Sequence, residues 1–218
     1  MTKKTFIKLR TKEKKLREQL ILDTVQKLIR EKNLFAITLK DISQEIGIAP
    51  TSIYRFFRSK DDIFYHIVLN DIERIHVLIE KNSSSIVSVD GFVDAITDYL
   101  IKNDLVSKIL WYFFIGMESN ETVLTYFNII EKKILGIFEK IFVQMGVNGS
   151  YKLRAEVLLY SLMGLIIFFR KTSELDEKQI KQYLAPVTES IMLDWPPFLE
   201  EGKGKFSGFR VKAETETA

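Results

Sequence analysis

The residues best suited to chemistry lie just after Pro50, where Thr51 and Ser52 supply hydroxyls, Tyr54 a phenol and Arg55 a guanidinium. This outward set is polar, compact and suited to a groove, and an arginine can grip guanine O6 and N7 in a bidentate way worth about 1–3 kcal/mol of discrimination. Covalent chemistry has no comparable set. The chain holds no G-x-G-x-x-G, Walker A, G-x-S-x-G or H-E-x-x-H pattern, so no catalytic residue is assigned. Cysteine is absent, which removes disulfides, thiolate metal sites and cysteine nucleophiles together and fits a reducing, cytoplasmic location. His66 and His76 are the only histidines, and no cluster of carboxylates or thiols joins them at metal-ligand spacing, so neither metal nor cofactor is expected.

The elements that must position these donors can be read from apolar spacing. Leu16, Leu20, Thr24 and Leu28, widened by Ile21 and Val25, form one stripe of a first, supporting helix. Thr38 reads as the N-cap of a second helix in which Leu39, Ile42 and Ile46 share a face, with Asp41 completing a box-like start. Gly47 ends that helix, and Pro50 suits the first position of a third, where its missing N–H is no loss. Ile53 and Phe57, four apart, turn to the core and leave Thr51, Ser52, Arg55 and part of Tyr54 outward. Two short helices joined through a glycine give the helix-turn-helix layout for major-groove reading. The alternatives are an Arg55 ion pair with Asp61 or Asp62, and a Tyr54 ring packed in the core with only its hydroxyl outward.

The run from Thr38 to Lys60 resembles the signature of the tetracycline-repressor (TetR) family, with its threonine before the second helix, its turn glycine, its third-helix tyrosine and its lysine opening a fourth helix. The resemblance covers 17–64; Ala49 and Thr51 depart from the serine and glycine frequent there, which bears on operator sequence. It implies that Thr38, Tyr54 and Lys60 hold phosphates, that Thr51, Ser52 and Arg55 lie nearer the base edges, and that Lys40 belongs to the same DNA-binding surface. The implied partner is a double-stranded, roughly palindromic DNA operator, bound by a homodimer. The segment from Gly47 to Arg55 is also similar to the reading helix of repressors of unsaturated fatty-acid synthesis, which sense acyl-CoA.

Charge divides the chain at the same place. Residues 1–60 hold 15 Lys+Arg against 6 Asp+Glu, a net of +9, and the remainder 17 against 23, a net of −6. A polyanion suits the first part; a solvated basic tail is the alternative, since eight of the cations fall between Lys3 and Arg17. Beyond Lys60 the periodicity predicts helices over 61–81, 89–102, 104–117, 121–145, 151–171 and 177–193, making an all-α protein of about nine helices. The expected division is a three-helix DNA-binding domain over 1–60, a regulatory ligand-binding and dimerisation domain over 61–198, and a mobile tail over 199–218.

The second part is rich in aromatics. Trp111, Tyr112, Phe113 and Phe114 are consecutive and cannot share one helix face, so some point to another helix or to a cavity. Trp111, Tyr112, Phe114, Tyr126, Phe127 and Phe168 are the expected lining of a site for a hydrophobic inducer, with plain core packing as the alternative for each. Leu158, Leu162, Leu165, Ile166 and Phe169 recur at helical intervals, and the resemblance places the homodimer interface on the helices from Tyr151 to Lys171 and from Glu177 to Leu193. The apolar run from Val157 to Phe169 is 13 residues, short of the roughly 20 a membrane span needs. A helical interaction or membrane-surface module is the competing class.

Overall fold

Nine α-helices and one 3₁₀ turn account for the regular structure of a computed structural model that describes residues 3–81, 88–147, 150–172 and 177–192, with no strand among them. α1, Lys3–Glu31, is much longer than its apolar stripe predicts, and it buries only part of that stripe. Ile21, Leu22, Val25, Leu28 and Ile29 are buried, whereas Leu16 and Leu20 are 62% and 53% exposed. The reason is geometric. At 3.6 residues per turn each step of four overshoots by about 40°, so the series 16, 20, 24, 28 starts in solvent and reaches the core only at Leu28, while mixed steps of three and four stay on it.

A short 3₁₀ turn, Leu34–Ala36, follows, capped by Asn33. α2, Leu39–Ile46, begins with a complete capping box: the Asp41 N–H donates to Thr38 Oγ1 (3.2 Å) and the Thr38 N–H to Asp41 Oδ2 (2.9 Å). Thr38 and Lys32 hold the Asp41 carboxyl down, from 3.8 to about 2. Gly47 ends the helix at φ +77°, a left-handed conformation that a Cβ penalises through the backbone alone, since nothing lies within 4 Å of where it would stand. α3, Pro50–Ile53, starts on its proline.

α4 (Lys60–Lys81), α5 (Val89–Lys102), α6 (Asp104–Gly116), α7 (Glu121–Gln144), α8 (Tyr151–Thr172) and α9 (Glu177–Met192) each fall within one residue of the bounds expected at either end. Their starts and stops are set by local chemistry: Ser88 caps α5 and Asn120 caps α7, and Gly146, at φ +66°, follows α7. Ser83 to Ser85, Asn148, Gly149 and everything after Met192, including the expected tail, lie outside the described residues.

The buried side chains form two clusters. The first takes in Ile21 to Ile29 of α1, Ile42, Ile53 and Phe57, then Ile63 to Ile72 of α4, Ile109 and Phe113 of α6 and Phe127 and Ile130 of α7. It therefore runs across Lys60 without interruption. The second joins α5, α7, α8 and α9 around Phe92, Phe138, Phe142, Leu158 and Leu184. Each fully buried aliphatic or aromatic side chain contributes about 1.5–3 kcal/mol. Arg154 is also buried, its Nη1 donating to the Ile191 carbonyl in the last turn of α9, where a cation complements the helix dipole. No helix among the described residues is long and apolar enough to cross a membrane.

Candidate nucleic-acid interface and ligand cavity

α1 supports the reading elements from behind. Lys27 Nζ reaches Glu45 Oε1 (2.7 Å) and Lys32 Nζ reaches Asp41 Oδ1 (3.1 Å), tying its last turns to α2, though both pairs are largely solvated and add little. The packing does more. Ile42, Ile53 and Phe57 are buried, which fixes the roll of α2 and of the turn after α3. Thr51, Tyr54 and Arg55 are left exposed and Ser52 half-buried, as expected, with Tyr54 57% exposed. Arg55 makes no ion pair with Asp61 or Asp62; those carboxylates accept from Tyr112 and Tyr126 instead. Lys40 is exposed on the first turn of α2.

Two residues of the expected DNA surface are engaged inside the fold. The Thr38 hydroxyl donates to Asp41 Oδ2 (2.5 Å) while accepting from the Asp41 N–H, so both its functions serve the cap. Lys60 Nζ donates to the carbonyls of Phe35 (3.1 Å) and Ile37 (3.2 Å) and lies 5.5 Å from the Tyr112 ring centre. The 3₁₀ turn leaves those carbonyls pointing at α4, and a lysine opening that helix is placed to receive them.

The start of α4 is a meeting point for three other elements. Tyr112 of α6 donates to Asp61 Oδ1 (2.5 Å), and Tyr126 of α7 donates to Asp62 Oδ1 (3.2 Å). Asp62 also accepts from the Arg58 N–H (2.8 Å), and its own N–H donates to Ser59 Oγ (3.1 Å). Two carboxylates in a first helical turn suit the positive end of the dipole. Burial, and then the bond to Asp61, raises the Tyr112 phenol well above its ordinary range. Phe35 and Phe64 pack on the Tyr112 ring at 5.3 and 5.2 Å between centres, and Tyr126 stacks on Tyr65 at 4.5 Å.

About 10 Å is one helix diameter, so the other ends of these same helices can enclose a cavity only a few turns away. They do: a cavity of about 60 Å³ lies between α4, α5, α6, α7 and α8. That is room for a few waters, not for a large ligand without movement of the walls. Ile72, Leu100, Val106, Ile137 and Leu159 supply one lining residue from each helix, and Ile134, Ile137 and Met163 touch both hydrophobic clusters, which places the cavity at their seam.

None of the five expected aromatic residues whose side chains are described lines this cavity. Tyr112 and Tyr126 turn to the start of α4, Trp111 stacks on Phe114 at 5.7 Å with Phe114 exposed, and Phe127 is buried against Phe114. Phe168 lies on α8, but its side chain is outside the described residues. Consecutive aromatics on a helix fan out by about 100° each, so they were bound to separate. The aliphatic lining escaped sequence reasoning because pairs such as Ile72 and Ile75, or Val106 and Leu110, look like any core-facing helix. Leu158 and Leu162, expected at a subunit interface, are buried within the chain's own second cluster.

Residues 21–67 match the family model described as bacterial regulatory proteins, tetR family. No curated protein matches the chain in sequence. Among solved structures, the chain is similar to a protein from Syntrophomonas wolfei described as a TetR-family transcriptional regulator, at a TM-score of 0.65 and 15% identity over 84% of this chain and 97% of that one. It is also similar to the fatty acid degradation regulator FadR from Bacillus halodurans (TM-score 0.63, 15% identity, 82% and 99% covered). FadR from Bacillus subtilis, solved in complex with stearoyl-CoA, gives a TM-score of 0.60 at 15% identity, with 85% and 99% covered. At such identity the whole-chain likeness is one of fold. Residues 21–67 thus match the tetR-family model in sequence, and the chain as a whole shares the fold of solved structures described as TetR-family transcriptional regulators.

Proposed function

We propose that the protein is a dimeric transcriptional repressor that leaves a palindromic DNA operator when a hydrophobic small molecule enters the cavity. The observation that carries this is the capped α2–Gly47–α3 unit, which buries Ile42, Ile53 and Phe57 and leaves Thr51, Tyr54 and Arg55 in solvent. Residues 1–60 would read DNA, residues 61–198 would hold ligand and dimerise, and no reaction is assigned. Arg55 would grip a base edge; Tyr54, Lys40, Thr51 and Ser52 would hold phosphates or bases beside it. Thr38 and Lys60 would act indirectly, by fixing the loop that carries α2. The location would be the cytoplasm, where the DNA is.

The inducer reading rests on the cavity and on the polar contacts at the far ends of its helices. α4 contributes Val68 and Ile72 to the cavity and Asp61 and Asp62 to the contacts; α6 contributes Val106 and Tyr112, and α7 contributes Ile137 and Tyr126. Parting these helices to admit a ligand would shift the start of α4, and with it α3. The stearoyl-CoA held by a protein of this fold supports a hydrophobic ligand. Because the coupling is reciprocal, operator should weaken ligand binding by the same factor. The dimer would use the faces of α8 and α9 still in solvent, where Tyr160, Gly164, Tyr183 and Ala185 lie. Selection from random genomic fragments at near-physiological salt tests the reading. A palindrome enriched by wild type and lost by a Tyr54→Ala/Arg55→Ala variant supports it; no enrichment by the folded, ligand-free protein overturns it.

A further inference from the structure

The cavity wall carries one polar side chain. Of its fourteen lining residues, thirteen are Val, Ile, Leu, Phe or Met, and the fourteenth is Ser107 of α6. Ser107 is 5% exposed, and its Oγ has no hydrogen-bond partner. Other buried hydroxyls on neighbouring helices are satisfied in the usual helical way: Thr97 donates to the Val93 carbonyl (2.7 Å) and Thr188 to the Leu184 carbonyl (3.1 Å). Ser107 alone of these three is left with an unmade bond at an apolar wall, a costly arrangement unless something brought into the cavity makes it.

Charge is absent from the same wall. An ion buried there would lose its hydration and find neither a counter-charge nor a second donor, so the buried part of a ligand must be neutral. We propose that the cavity selects an uncharged aliphatic molecule carrying one hydrogen-bonding oxygen, and that Ser107 binds that oxygen. This rests on the ligand-responsive reading above and adds the ligand's chemistry and the residue that recognises it. A long-chain alcohol and the carbonyl of an acyl ester share the chemistry; a free carboxylate does not.

The test uses the full chain and three probes of equal chain length: 1-octanol, methyl octanoate and octanoate, titrated by calorimetry near pH 8 into wild type, Ser107→Ala and Leu110→Phe. Both neutral probes should bind wild type, octanoate at least about tenfold more weakly. Ser107→Ala should weaken the neutral probes about fivefold, the size of one neutral hydrogen bond, and Leu110→Phe, which fills the cavity, should weaken both further. Preference for the alcohol over the ester would assign the free-alcohol source, and the reverse an acyl source. Without ligand, Ser107→Ala should melt no lower than wild type. Octanoate binding as tightly as octanol, unchanged affinity in Ser107→Ala, no binding of either neutral probe, or a melting temperature lowered by several degrees would each overturn the proposal. DNA selection is read separately on the same samples. Selected DNA without this probe pattern defeats the ligand inference alone, and the probe pattern without selected DNA defeats the regulator reading alone.

Discussion

The Tyr112 phenol donates to Asp61 Oδ1 across 2.5 Å, joining the last turns of α6 to the first turn of α4. Removing that hydroxyl leaves a half-buried carboxylate short of a donor. Tyr112→Phe should therefore lower the free energy of unfolding by about 1–2 kcal/mol, toward the low end for a hydrogen bond to a charged group because Asp61 is partly solvated. Tyr126→Phe, whose bond to Asp62 is longer at 3.2 Å, should cost less. Urea denaturation of both variants measures the difference, and equal losses would contradict the ranking.

The same phenol makes stability depend on alkaline pH. Its folded value lies above the ordinary 10.0, mainly through burial and then through Asp61, so the folded state holds the proton that the unfolded chain releases first. The contribution is complete below pH 10 and declines as pH rises beyond it. Tyr112→Phe should flatten the fall in midpoint between pH 9 and about 11 relative to wild type. Tyr99, raised by burial and by Asp71, will leave part of the slope in place.

At the acid end the capping box sets the limb. Asp41 titrates at about 2 when folded against 3.8 in the unfolded chain, so its contribution is present above pH 3.8 and is lost as pH falls toward 2. Asp41→Asn should reduce stability at pH 6 and lose less of it on acidification. Thr38→Ala, which removes the acceptor for the Asp41 N–H, should cost about 0.5–2 kcal/mol at neutral pH. Thermal melts from pH 2 to 6 separate the two.

On DNA, the two exposed cations should behave differently from the one bonded within the fold. Arg55→Ala should cost about 1–3 kcal/mol at one base position and relax specificity there, while Lys40→Ala should weaken all DNA similarly and reduce the salt slope by about one. Lys60→Ala should instead lower folding stability, because the Phe35 and Ile37 carbonyls lose their donor, and should leave the salt slope nearly unchanged. A slope reduced by one in Lys60→Ala would return that lysine to the phosphate surface.

The helix-turn-helix was legible because its signals are local. Thr38, Asp41, Gly47 and Pro50 each dictate a backbone conformation within a few residues of themselves, and Ile53 and Phe57 fix the roll. The same is true of the bounds of α4 to α9, set by caps such as Ser88 and Asn120. The cavity was not legible, because whether Ile72, Ile137 and Leu159 meet around an empty space depends on how five helices pack. Aromatic richness did not point to this cavity: Tyr112 and Tyr126 carry polar tips that meet Asp61 and Asp62, residues 51 and 64 positions away. The α1 stripe held at Ile21, Val25 and Leu28 and failed at Leu16 and Leu20, since leucines at steps of four do not stay on one face.

The unbroken run of core from Ile21 to Ile130 limits how such a protein can be recombined. A DNA-reading segment cut at Lys60 would carry Ile53 and Phe57 away from the α4 side chains in their cluster and would leave Lys60 without the Tyr112 ring. A hybrid meant to exchange operator preference must therefore transplant α6 and the first turns of α7 along with α1 to α4, or change only the side chains in solvent at Thr51, Tyr54 and Arg55. Substitution at those three outward residues leaves the shared core intact, whereas an exchanged head would break it.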